Sequence, residues 1–370
     1  ADLYPPHERG KVQGYLASVW AISAVVGPMA GGLIIRDWSW SWIFWINIPI
    51  GLASAAGFIF FLHEKERLAR PSIDSVGAAL FTVAIAALMI ALTDAGTADY
   101  SHAWYACAVF VVASLLFVAQ ERRAADPMIS FSVWGRRPIA AANAATVFAG
   151  MALMGLTTFL PMYVQGVLHR SPVVAGLALT MMMVGWPVGA TLAARSFHRF
   201  ALRRILVGGS FILPVGAILF VLLSPESSPV VAGIGSLVMG FGMGTSSVST
   251  LVLIQELVDS SQRGSATASN LFSRNLGSTL GATVFGAVLN YGLTHSKVLG
   301  VVTSDQLRQV LESSPASGGA DVAIRLALHQ SLHLTFLAIF AIAIAIVVSA
   351  LLVPAAPLRP MRGAPGALES

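Results

Sequence analysis

Long apolar runs separated by short polar breaks organise the whole chain. Ten runs, at 12–35, 41–62, 75–93, 102–119, 138–165, 173–194, 204–223, 229–254, 264–292 and 330–353, are long enough to cross a bilayer, since a spanning helix needs roughly 20 apolar residues. The runs are continuous and do not alternate, so the pattern predicts helices and not the strands of a barrel. The first run ends in Gly27-Pro28-x-x-Gly31-Gly32. A soluble helix would lose roughly 3 kcal/mol to the proline and about 1 kcal/mol to each glycine. Inside a bilayer neighbouring helices re-satisfy the freed backbone, and glycines let another helix come close. The expectation is an all-α polytopic membrane protein with ten transmembrane helices.

Composition points the same way. Of 370 residues, 56% are hydrophobic and 11% charged, with a mean hydropathy of +0.77, against about 25% charged in a soluble domain. The single cysteine, Cys107, offers no disulfide or metal framework. The net charge of +5 would suit nucleic acid, but its distribution reads as topology. Sixteen of the 22 Lys and Arg lie before the first, third, fifth, seventh and ninth runs or after the tenth, and five lie on the other side. The positive-inside bias then places both chain ends in the cytoplasm. Arg9, Arg195 and Arg263 stand in these basic segments as candidate gating-loop residues.

A weak repeat recurs at an offset of 254: Glu8-Arg9-Gly10 maps to Gln262-Arg263-Gly264, Gly27 to Gly281 and Gly32 to Gly286. Paired helix bundles are a common transporter design. Four runs precede the second copy within its bundle and none precedes the first, so about four helices of the first bundle are expected to be missing. The expected organisation is a two-helix remainder of a six-helix bundle at 1–62, an inserted helix pair with a cytoplasmic linker at 63–137, a six-helix bundle at 138–355 and a tail at 356–370. Residues 293–329 read as an outer loop, with a short amphipathic stretch at 303–312.

Several motifs resemble the 14-helix drug/proton antiporters of the major facilitator superfamily, the EmrB/QacA type. Gly27-Pro28-Met29-Ala30-Gly31-Gly32 is similar to the antiporter signature of the fifth helix in that family. Trp40-Ser41-Trp42-Ile43-Phe44-Trp45-Ile46-Asn47-Ile48-Pro49-Ile50-Gly51 is similar to the entry of the sixth, and Asp74-Ser75-Val76-Gly77 to the start of the inserted pair. Phe159-Leu160-Pro161-Met162-Tyr163-Val164-Gln165 resembles the outer end of the ninth, and Gly264-Ser265-Ala266-Thr267-Ala268 with Arg274-Asn275-Leu276-Gly277 the thirteenth. The resemblance implies helices five to fourteen of a partial transporter fold, proton-driven export of amphipathic or cationic compounds by alternating access, and a bacterial inner-membrane location. It also implies that Gly27-Pro28 sets a helix bend limiting proton leak. Its weak cytoplasmic echo, Gly189 to Arg195, lacks the acidic residue of the full motif.

Candidate chemistry is sparse. All 17 acidic residues fall at helix ends or in loops, so proton coupling is expected to use a carboxylate outside this chain. Arg274 is the one charge deep in an apolar run, roughly 15 Å from the helix start at 1.5 Å per residue, where it needs a cavity or a partner. It is expected to face a cavity or pair across helices, with Asn270 one turn away. Asn143, Gln165, Tyr163, Met151 and Met154 are further cavity candidates, the methionines as adaptable apolar surface. Ser273, Gly277 and Gly281 form a small-residue stripe, and Gly240-x-Gly242-x-Gly244 reads as helix packing, having no strand before it to make a nucleotide loop.

No His-Glu-x-x-His, Gly-x-Ser-x-Gly or ATP-binding motif is present. His329 and His333 read as flanking a helix. Expected are a secondary transporter and not an enzyme, with no metal and no cofactor, energised by a proton gradient. Expected partners are small hydrophobic or cationic substrates, protons and the lipid bilayer, with a periplasmic adaptor protein as a further candidate and no nucleic acid. The competing readings are a narrow exporter of a metabolite or siderophore and a non-transporting membrane sensor.

Overall fold

A computed structural model describes residues 41–61, 74–95, 101–124, 134–197, 199–258, 262–295 and 319–354, with isolated positions between 19 and 39. The described elements are helices: α1 (Trp42–Trp45), α2 (Asn47–Phe61), α3 (Ser75–Ala95), α4 (Ser101–Glu121), α5 (Arg137–Gly166), α6 (Pro172–Ser196), α7 (Leu202–Val221), α8 (Pro229–Glu256), α9 (Arg263–Thr294) and α10 (Gly319–Leu351). They fall into two compact units, residues 1–73 and 74–370. In the first, α1 and α2 form one apolar span over Trp42–Phe61.

Eight spans among the described residues are long and apolar enough to cross a membrane. The expected span at 12–35 lies largely outside the described residues. The expected span at 264–292 is a 32-residue helix, α9, too rich in Ser, Thr, Asn and Gly to qualify by apolar length. Asn270 and Ser273 of its polar set are buried, and Asn270 bonds to α5. The expected loop at 293–329 needs correction. Residues 319–329 are the first turns of α10, which runs 33 residues. His329 and His333 therefore lie within this helix and do not flank it. The stretch 303–312 lies outside the described residues.

Prolines sit inside α5 (Pro161), α6 (Pro187) and α7 (Pro214), as spanning helices tolerate. Pro172 and Pro229 open α6 and α8, where the missing N–H costs nothing, and Ser171 and Ser228 cap them by accepting from Val174 N and Val230 N. The outward faces carry exposed apolar residues such as Leu115, Phe211 and Val215, as a lipid-facing surface requires. One core cluster joins Leu160, Tyr163, Phe220, Phe285 and Phe336, and a second gathers Ile139, Leu206, Leu253 and Val353 at the opposite end.

Helices α5 to α10 alternate in direction, and arginines tie their ends together. Arg136 Nη1 donates to Leu257 O at the end of α8 (3.1 Å), and Arg203 donates to Val353 O (2.5 Å) and Leu351 O (3.3 Å) at the end of α10. At the other face, Arg325 donates to Val167 O (2.7 Å) after α5 and to Pro225 O (3.3 Å) between α7 and α8. The last carbonyls of a helix have no partner within it and carry its negative dipole end, so guanidinium groups suit them. Arginines at or near helix ends therefore fasten these helices to one another. The pair α3–α4 belongs to the same compact unit and meets α9 through Phe81 and Phe272, whose rings lie 4.9 Å apart.

Candidate functional site

Two seams position the candidate site. Along the first, α5 meets α9 backbone to backbone. A Cβ on Gly277 would run into the Val147 carbonyl, one on Gly150 into the Arg274 carbonyl, and one on Gly281 into Met151 Cα. The small-residue stripe thus brings the two helices close enough for short polar side chains to bond across. Asn270 Nδ2 donates to Thr146 Oγ1 (2.8 Å), and Asn143 Nδ2 donates to Ser269 Oγ (2.8 Å). Along the second seam, α6 meets α8: a Cβ on Gly240 would run into Met182 O, and one on Gly244 into Trp186 O. The Gly240-x-Gly242-x-Gly244 run is a helix-packing surface, with Gly242 turned to Leu213 of α7.

Between these seams a cleft opens among α5, α6, α8 and α9. It is lined by Ala145, Thr146, Ala149, Gly150, Leu153, Trp186, Met243, Ser246, Ser247, Thr250 and Arg274, and holds about 350 Å³ of empty space counted to its open mouth. Its interior is narrow, with room for little more than a water-sized group. That is enough for a water or a small headgroup and far below a drug-sized cavity.

Arg274 sits where the sequence expects it, in the helix interior and half-buried, because α9 begins at Arg263 and not later. Its Nη2 donates to Ser247 Oγ (2.7 Å), and its guanidinium carbon lies 6.0 Å from the Trp186 ring centroid. Among the described residues it has no carboxylate partner. Ser246 is 3% exposed, lines the cleft, and its Oγ has no hydrogen-bond partner.

The other sequence candidates go elsewhere. Asn143 and Asn270 are buried in the α5–α9 seam, one layer behind the cleft. Tyr163 and Met151 belong to the core, and Tyr163 OH pairs with His329 Nδ1 of α10 (3.1 Å). Met154 is half-buried on α5 without lining the cleft, and Gln165 is half-buried in the last turn of that helix. Arg195 is exposed at the end of α6, and Arg263 is exposed at the start of α9 and donates to Gln255 O (3.3 Å). Gly27 is helical, and a Cβ there would meet nothing within 4 Å. Pro28, Gly31, Gly32 and Arg9 lie outside the described residues. Sequence reasoning missed Trp186, Ser246 and Ser247. The signal available was the hydroxyl-rich string Thr245-Ser246-Ser247 inside an apolar run.

The Asn270 bond gives a direct check on the seam. Replacing Asn270 with Ala is expected to lower stability by about 1–2 kcal/mol, read as a fall in the melting temperature of the purified protein in detergent. An unchanged melting temperature would show that the seam is held by packing alone.

The family model described as Major Facilitator Superfamily matches residues 1–282. The chain belongs to the Major Facilitator Superfamily. It is 31% identical over 290 residues to Multidrug resistance protein 3 of Bacillus subtilis (strain 168), covering 78% of this chain and 57% of that protein. It is 26% identical over 323 residues to Multidrug transporter protein MdtP of the same organism, covering 86% and 58%. With Multidrug efflux pump SdrM of Staphylococcus aureus (strain N315) it shares 28% over 290 residues, covering 75% and 62%. The chain thus spans a little over half the length of these relatives. Superfamily membership and the eight apolar spans make it a multi-pass membrane protein with a partial transporter fold.

Proposed function

We propose that the whole protein is a proton-coupled secondary transporter that exports amphipathic small molecules by alternating access, without a cofactor. The observation that carries this reading is the cleft walled by α5, α6, α8 and α9. It is a mostly apolar cleft with Arg274 and four hydroxyls in its lining, set between helices that glycine seams hold close. The chain's similarity to proteins named for multidrug resistance and efflux supports the export of small molecules. The acidic residues Asp74, Asp94, Glu121, Glu226 and Glu256 lie at helix ends or in loops, so in this reading the proton is carried by a carboxylate outside the described residues. A bacterial cytoplasmic membrane with both chain ends inside, and the EmrB/QacA type with its inserted pair α3–α4, complete the proposal. The expectation of cationic substrates gains no support from the cleft, whose one charge is positive.

The test is dye accumulation in pump-deleted bacteria expressing the complete gene product. Ethidium and a fluorescein ester are each followed with and without a protonophore. Accumulation of at least one dye below the empty-vector level, rising when the gradient collapses, is the expected result. Accumulation equal to the control for both, with membrane expression confirmed, would sink proton-driven export of broad amphiphiles.

A further inference from the structure

The cleft carries one cation and, among the described lining residues, no anion to meet it. Arg274 brings five N–H groups, of which one is engaged with Ser247 Oγ. Ser247 accepts that bond and keeps its own hydroxyl proton to donate. Ser246 Oγ is buried at the cleft wall with no hydrogen-bond partner among the described residues. The other two hydroxyls there are already committed as donors: Thr146 to Ala142 O, and Thr250 to Ser246 O and Ser247 O. Among the described residues no carboxylate lines the space.

A cation held at this depth in a membrane protein is costly unless an opposite charge reaches it. Here its nearest company is a hydroxyl and the face of Trp186. The room behind the mouth suits a group of a few atoms. Leu153, Met243 and the indole of Trp186 stand beside it as apolar surface for whatever is attached.

We propose that this cleft takes the anionic head of an amphipathic acid, a carboxylate or sulfonate, with Arg274 and the Ser246 and Ser247 hydroxyls on its oxygens and its apolar body toward the open mouth. This rests on the reading of the cleft as a substrate site and names the substrate class. Planar guanidinium donors match the two oxygens of a carboxylate, and desolvation around them strengthens the pairing. A cationic substrate meets repulsion from Arg274 and, among the described lining residues, finds no carboxylate that could offset it.

The experiment uses two probes with one aromatic body, 1-pyrenebutyrate and (1-pyrenebutyl)trimethylammonium, binding to the complete gene product in lipid nanodiscs, with empty nanodiscs subtracted. Fluorescence anisotropy is expected to show the carboxylate bound at least about tenfold tighter. Arg274→Gln is expected to weaken the carboxylate by about ten- to a hundredfold and to leave the ammonium unchanged or tighter, with Arg274→Lys intermediate and Ser246→Ala weakened a few-fold. Equal affinity for the two heads overturns the proposal. So does an Arg274→Gln protein that loses both equally, since Arg274 then holds the fold or a carboxylate of the protein itself. Should Arg274→Gln fail to fold, the wild-type preference between the two probes and the Ser246→Ala effect decide. Binding is read with no proton gradient imposed, so failure of gradient-driven export counts against the transport mechanism alone.

Discussion

Gly277→Leu is expected to abolish the native bundle, with a loss of about 3 kcal/mol or more. The first atom of the new side chain would collide with the Val147 carbonyl, which belongs to the hydrogen-bonded ladder of α5 and has no rotamer to change. The helices would have to separate, and separation would stretch the Asn270–Thr146 and Asn143–Ser269 bonds, 2.8 Å each. Overpacking and lost polar contacts therefore act together. The control is Gly286→Leu on the same helix, two turns further on, where a Cβ meets nothing within 4 Å. That change is expected to be neutral within about 0.5 kcal/mol, as for a surface position. Melting temperature and the monodisperse fraction after detergent extraction measure both. Equal losses in the two variants would show that helix composition, and not the α5–α9 crossing, sets stability.

Arg325→Met is expected to cost about 1.5–3 kcal/mol, the range for hydrogen bonds to a charged donor. Val167 O and Pro225 O, held at 2.7 and 3.3 Å, would both lose this partner. The methionine keeps most of the apolar stem, so the change isolates the guanidinium. Lysine in its place is expected to recover less than half of the loss, because a point charge does not reach two carbonyls on different connections as a fork does. Thermal unfolding in detergent reads the difference. A full rescue by lysine would mean that charge, and not geometry, ties this face of the bundle.

What the sequence revealed depended on the physical kind of signal each feature carried. Span positions were readable because a bilayer demands length and apolarity, which any run displays. The start of α10 was misplaced because Asp321, Arg325 and His329 interrupt the apolar run by composition, whereas the helix continues through them and bonds to α5 and its end, Arg325 to Val167 O and His329 with Tyr163. Arg274 was found since a charge in an apolar run has few explanations. Ser246 and Ser247 passed unnoticed because serine in a spanning helix commonly bonds its own preceding turn, as Ser210 does to Leu206 O and Ser249 to Thr245 O, so composition does not mark the buried hydroxyls left unpaired among the described residues, Ser236 and Ser246. Tyr163 and Met151 looked like cavity residues by type. Their helix face points to the core, and a face is known only once the neighbours are.

The glycines of this bundle divide into two genetic classes. At Gly209, Gly155 and Gly235 the obstacle to a larger residue is a side chain: the Thr245 methyl, the Phe285 ring and the Phe220 ring. A damaging substitution there has a second-site suppressor within reach, a trimmed partner that gives back the space. At Gly185, Gly189, Gly240, Gly244 and Gly277 the obstacle is a carbonyl of the opposing helix, which no codon change removes. Revertant screens should therefore return compensating partners for the first class and only true reversion to glycine for the second.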